Sequence, residues 1–163
     1  MFSIDNIFGE QASFLVKQSS PLVLEEILSQ SQEENPKYNL MVIDGVNCTT
    51  KENFFEEASS RLDFPEYFGR NWDAFNDSFT ETLWSQEKPQ CIFIILNAEK
   101  LLSNAQEIDL SNMLEILKDA ITEVSTADDM NLLVKIIFVL EDIQASRVVE
   151  IMKKQSFSYK EVF

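Results

Sequence analysis

Three short runs, LMVID (40–44), CIFIIL (91–96) and LLVKIIFVL (132–140), are apolar at almost every position rather than at every second one. A strand with one solvated face alternates apolar and polar residues, whereas a strand covered on both faces does not. The segments before, between and after the runs provide that cover. Pro21 suits the first turn of a helix over 21–33, with Leu22, Leu24, Ile27 and Leu28 as its apolar stripe. Thr49 and Glu52 have the spacing of a capping box that opens a helix over 50–62, burying Phe54, Phe55, Ala58 and Leu62. Residues 71–83, 107–124 and 144–154 read as further helices, the second with Leu110, Met113, Leu114, Leu117, Ile121 and Val124 in 3.6-residue register. Residues 13–18 read as a short strand, and in the tail 155–163 Phe157, Tyr159 and Phe163 either pack or stay loose. The expected fold is α/β: a small, mainly parallel sheet of about three strands packed with helices, plus N- and C-terminal extensions. Residues 40–44, 91–96 and 132–140 are expected as parallel neighbours. No linker divides the chain, so residues 1–163 are expected to form one domain.

Charge and missing residue types narrow the function. The chain has 28 acidic against 13 basic residues, a formal net charge of −15. Such a chain repels nucleic acid and anionic membrane and attracts basic partners, although an acidic surface also serves solubility alone. It has no His, which removes the commonest general base and the usual zinc ligand. Cys48 and Cys91 form no disulfide framework or metal pattern, and both are expected as buried free thiols. The N-terminal MFSIDNIFGEQ lacks a basic n-region, and no stretch approaches about 18 consecutive apolar residues. A soluble, cytoplasmic protein without cofactor or metal is expected.

Residues 64–77, FPEYFGRNWDAFND, are unusual: too polar for a core segment and too aromatic for a solvated loop. On a helix over 71–83, Trp72, Phe75, Phe79 and Leu83 fall on one face, assigned to the core. Asp73, Asn76, Asp77 and Thr80 form a second stripe, offset by about 100° per residue step. Asp73 and Asp77 are a like-charge i,i+4 pair with no Lys or Arg inside the helix, and Arg70, three residues before Asp73, offsets part of the repulsion. The stripe is either a plain solvated face or a rigid anionic patch beside Tyr67, suited to a cationic, phosphate-shaped cleft.

The segment resembles the binding loop and second helix of the barstar family, intracellular protein inhibitors of ribonucleases. Pro-Glu-Tyr-Phe-Gly, Asn-Trp-Asp-Ala and an Asp four residues after the first recur together. The flanking order is also similar: a strand ending in Asp44-Gly45, a helix at 50–62, the motif, then Trp84 a little beyond the helix. The resemblance covers about residues 38–142. It leaves 1–37 as an N-terminal extension and 143–163 as a C-terminal helix and tail. It implies that Tyr67 packs on a partner, that Gly69, Arg70 and Asn71 lie in the binding loop, and that Asn71 also caps the helix. It further implies that Asp73 and Asp77 face a basic cleft, Asp77 where a substrate phosphate would sit. The sequence departs from the family at Asn76, where an aromatic contact is usual, and at Arg70, where an acid is. At the start of the later helix Ser111, with Asp109 close by, stands where the family has an acidic contact.

The resemblance implies a non-enzymatic inhibitor whose acidic helix and loop close the active-site cleft of a basic, extracellular-type ribonuclease. The alternative is a binding module of the same fold, an immunity or regulatory protein directed at another basic protein or toxin. An acid–base enzyme is the weakest reading. Asp73 and Asp77 on an exposed turn lack the burial that separates the pKa values of a catalytic pair, and no nucleophile or metal set accompanies them.

Overall fold

The computed structural model describes residues 2–129 and 131–162. In chain order these form β1 (Phe14–Gln18), α1 (Pro21–Ser31), β2 (Asn39–Asp44), α2 (Lys51–Arg61), α3 (Trp72–Trp84), β3 (Gln90–Leu96), α4 (Glu107–Thr126), β4 (Leu133–Leu140), α5 (Arg147–Lys154) and β5 (Tyr159–Val162), with short 3-10 segments at Ile4–Gly9, Gly45–Asn47 and Ala98–Lys100. Every strand pairing is parallel, in the spatial order β2-β3-β4-β1-β5.

The three apolar runs are the neighbouring strands β2, β3 and β4, as their patterning requires. The sheet is wider than expected, with five strands rather than about three. β1 pairs with β4 along its whole length, and the tail supplies β5 on the outer edge of β1. β1 is the short strand expected at 13–18, though its place in the sheet has no local signal, and β5, which reads YKEV, has no strand signal of its own. Their pairing is a tertiary effect that depends on β4 being in place. The tail packs rather than staying loose, since buried Phe157 meets the Phe14 ring edge-on at 5.4 Å. Phe163 lies outside the described residues.

Register sorts the strand residues onto two faces. Met41, Phe93, Ile136 and Phe14 form one row across the sheet, on the face covered by α2, α3, α4 and α5. Val42, Ile94, Ile137 and Leu15 form the next row, on the face covered by Ile4–Gly9 and α1. Lys135 interrupts the apolar run of β4 on this second face, buried to 1% exposure. Its ammonium donates to the carbonyls of Glu10 at 2.6 Å and Ala12 at 2.8 Å, fastening the segment before β1 onto the central strand. Burial lowers the Lys135 pKa, and the charge of Glu10 opposes that shift.

The apolar stripe expected on α1 is only partly a core stripe. Val23 and Ile27 are buried, while Leu22, Leu24 and Leu28 are 70%, 43% and 57% exposed. Val23 and Ile27, one turn apart, lie along the line of contact with the sheet. The leucines fall on its two flanks, and among the described residues no second helix packs on this face. The starts of α1, α2 and α3 follow hydroxyl and amide caps: Ser20, Thr50 and Asn71 each accept the N–H three residues on. The cap of α2 is therefore Thr50 with Asn53, not the Thr49–Glu52 box. The carbonyl of Thr49 instead accepts the N–H of Asn104 at 2.8 Å. Gly45, after β2, meets a close approach of backbone: a Cβ there would lie 2.2 Å from the carbonyl oxygen of Asn97.

Candidate functional site

The phenylalanines of 64–77 anchor the segment, while Tyr67 and the charged residues and Asn76 face outward. Phe64 and Phe68 are buried, with ring centroids 5.1 Å apart. Phe68 packs on Phe55, and Phe64 on Phe75, so the loop is pinned to both α2 and α3. Tyr67, between the anchors, is 83% exposed. A loop fixed at two points presents its tip with little conformational freedom left to lose on binding.

The loop then turns sharply into α3. Arg70 has a left-handed backbone, φ 51, an uncommon conformation for a residue with a Cβ. Asn71 caps the helix as expected: Oδ1 accepts the Ala74 N–H at 2.8 Å, and Nδ2 donates to the Gly69 carbonyl at 3.2 Å. A Cβ on Gly69 would lie 3.3 Å from both the Ala74 Cβ and Asn71 Nδ2, so the cap closes directly over this glycine. Arg70 does not relieve Asp73. Its guanidinium pairs with Glu56 of α2 at 2.6 Å, drawn toward the neighbouring helix.

Helix α3 separates its stripes as its periodicity requires. Phe75, Phe79 and Leu83 are fully buried, Asp73, Asn76 and Asp77 are exposed, and Thr80 is half-buried. Trp72 is half-buried at the rim of the core rather than deep within it. Its ring lies 4.8 Å from that of Phe55, and its indole N–H donates to Asp109 at 3.0 Å. The helix ends on Trp84, which belongs to α3 rather than lying beyond it. Thus Tyr67, Gly69, Arg70, Asn71, Asp73, Asn76 and Asp77 share one exposed loop-and-helix surface, with Thr80 at its edge. Among the described residues, Asp73 and Asp77 pair with no Lys or Arg, and neither do Asp63, Glu66 and Glu81 around the same loop. Glu81 lies on a third face of α3, outside the two stripes its periodicity separates, and Asp63 and Glu66 lie on the loop before the helix, where no periodicity marks them.

The start of α4 adds no free carboxylate beside this surface. Asp109 is held by Trp72 and by Lys51 at 3.9 Å, and Glu107 pairs with Lys154 at 3.3 Å. The Ser111 hydroxyl accepts the side-chain amide of Gln155, which ties α4 to the residue after α5. The anionic surface is therefore built by the 63–81 region alone.

The site thus combines a well-anchored loop with a left-handed residue, a capped helix with two outward carboxylates that pair with no cation among the described residues, and an exposed tyrosine. Residues 38–144 match the family model described as Barstar (barnase inhibitor), and the chain belongs to the barstar family. That membership points to a protein partner. No curated protein sequence matches the chain. Two solved structures of the Aeropyrum pernix ORC2 protein resemble its fold. The ADPNP–ADP complexes superpose with a TM-score of 0.58 at 11% identity, covering 98% of this chain and 44% of that one. The ADP form gives 0.59 at 11% identity, covering 98% and 45%. The chain thus spans less than half the length of these structural neighbours, and the likeness concerns fold alone. No helix among the described residues is long and apolar enough to cross a membrane.

Proposed function

We propose that this chain is an intracellular inhibitor that binds a basic ribonuclease and blocks its active-site cleft, without catalysis of its own. The observation that carries the reading is the pair Asp73 and Asp77, exposed on a capped helix and paired with no Lys or Arg among the described residues, next to a projecting Tyr67. An enzyme that cleaves RNA gathers cations around a scissile phosphate. Carboxylates held on a rigid helix neutralise those cations and fill the space the phosphate would occupy. The net charge of −15 extends the attraction beyond contact and raises the encounter rate. The nucleotide ligands of the ORC2 neighbours do not transfer. The chain has no G-x-x-x-x-G-K-[ST] loop, and β1 runs into α1 through Ser19, Ser20 and Pro21.

Asn76 and Ser111 favour a second reading, in which the same surface binds a basic protein other than a ribonuclease. An amide where the family resemblance implies an aromatic contact removes a large packing group, and a hydroxyl where it implies an acidic contact removes a charge. The two readings separate in an RNA-cleavage assay with a basic ribonuclease from the producing cell, run with and without the chain. Stoichiometric loss of cleavage is expected. Full cleavage in the presence of a bound complex would favour the second reading.

A further inference from the structure

We propose that the cleft behind Tyr67 is a separate cation subsite that receives an arginine or lysine side chain of the protein partner. The cleft, about 250 Å³, is lined by Asp63, Pro65, Tyr67, Ser78, Glu81, Thr82 and Ser85, residues of the loop, of a third face of α3 and of its C-cap. It is distinct from the stripe of Asp73 and Asp77.

Three independent features point to a cation there. The first is the electrostatics of two helix ends. Asp63 lies just past the C-terminus of α2, where the Phe64 N–H returns to the Ser59 carbonyl and Asp63 takes φ 55. Glycine is the usual residue at such a position. Glu81 lies in the last turn of α3. Both carboxylates therefore sit at the negative ends of helix dipoles, where an anion is disfavoured. Among the described residues neither has a Lys or Arg partner or a side-chain hydrogen bond. The second feature is Ser78. It is more than nine-tenths buried, with 8% exposure, and lines the cleft. Its hydroxyl has no hydrogen-bond partner among the described residues, while its carbonyl accepts from Thr82 at 2.8 Å. The third is the Tyr67 ring on the cleft wall, a flat surface of the kind over which a guanidinium stacks. A metal ion fits less well, because no group of three or more His, Cys, Asp or Glu among the described residues is placed to hold one. An organic cation with several N–H donors satisfies two carboxylates and a hydroxyl together.

The identity of the partner rests on the inhibitor reading, but the cleft is testable without it. The full chain, isotope-labelled, is titrated with N-acetyl-arginine amide and, separately, with the uncharged citrulline analogue, following backbone amide signals. Saturable shifts centred on Asp63, Tyr67, Ser78 and Glu81 are expected with the arginine probe only. They should be lost in Asp63→Asn plus Glu81→Gln, two near-isosteric changes at exposed positions that leave the core untouched. Equal shifts with the citrulline probe, or shifts centred on Asp73 and Asp77, would overturn the subsite. A second arm uses a basic ribonuclease that the chain inhibits, and there the double variant should weaken inhibition about tenfold. If Asp77→Ala abolishes inhibition while the double variant inhibits like wild type, the cleft is no partner subsite and the inhibitor reading stands. If the chain inhibits no ribonuclease, the inhibitor reading falls and the probe titration alone decides the cleft.

Discussion

The indole N–H of Trp72 donates to the carboxylate of Asp109 at 3.0 Å, joining the first turn of α3 to the first turn of α4. Trp72 precedes Asp73, so this bond helps fix the direction in which the acidic stripe begins. Trp72→Phe keeps most of the apolar contact with Phe54 and Phe55 but leaves the Asp109 carboxylate short of a donor. A loss of about 1–2 kcal/mol is expected in urea unfolding. Asp109→Asn, which can still accept the indole N–H, should lose less. Equal losses would mean that the charge of Asp109, through Lys51, matters more than the bond.

Phe75 and Asp77 lie on opposite sides of one helix and should respond oppositely. Phe75→Ala removes a fully buried ring from the centre of the aromatic cluster and is expected to destabilise by about 3–5 kcal/mol. Asp77→Ala relieves a like-charge i,i+4 pair and should leave the melting temperature unchanged or slightly raised. Comparable falls in melting temperature for the two variants would contradict the face assignment.

How much of this was legible in the sequence depended on whether a signal was local. The two stripes of α3, the Asn71 cap and the three central strands are set by residues near one another in the chain. The widening of the sheet was not local. Residues 13–18 read as a strand locally, but the place of β1 beside β4, and β5 altogether, come from pairing in register, as Phe14 with Ile136 and Tyr159 shows. The α1 stripe misled for a related reason. Periodicity marks Leu22, Leu24 and Leu28 as apolar, but only the absence of a neighbouring helix on that face leaves them exposed. At the candidate site, the outward residues could be read from spacing. The diversion of Arg70 to Glu56 and of Asp109 to Trp72 required the tertiary arrangement.

Stability should fall at alkaline pH through the two buried thiols. Burial pushes Cys91 from its ordinary 9.0 up to about 12, and burial, with the nearby charges of Glu57 and Asp44, does the same for Cys48. Between these values the unfolded chain releases a thiol proton that the folded chain keeps. The stabilisation is complete below pH 9 and is lost as the pH rises toward 12. Chemical unfolding of wild type and of Cys48→Ala plus Cys91→Ala at a series of pH values should show the steeper alkaline decline in wild type. Parallel declines would show that the thiols do not titrate on unfolding.

The most direct test is stopped-flow binding of a basic ribonuclease to wild type, Asp73→Ala and Asp77→Ala over a range of salt. If Asp77 meets desolvated Arg or Lys in the cleft, Asp77→Ala should weaken binding by several kcal/mol, on the order of 2–5, because it leaves those cations unpaired. Asp73→Ala should cost less. Salt should slow association far more than it speeds dissociation, since steering acts over the Debye length and the contacts do not. Tight binding that survives both substitutions together, with an unchanged salt dependence, would place the interface elsewhere and contradict the proposed mechanism.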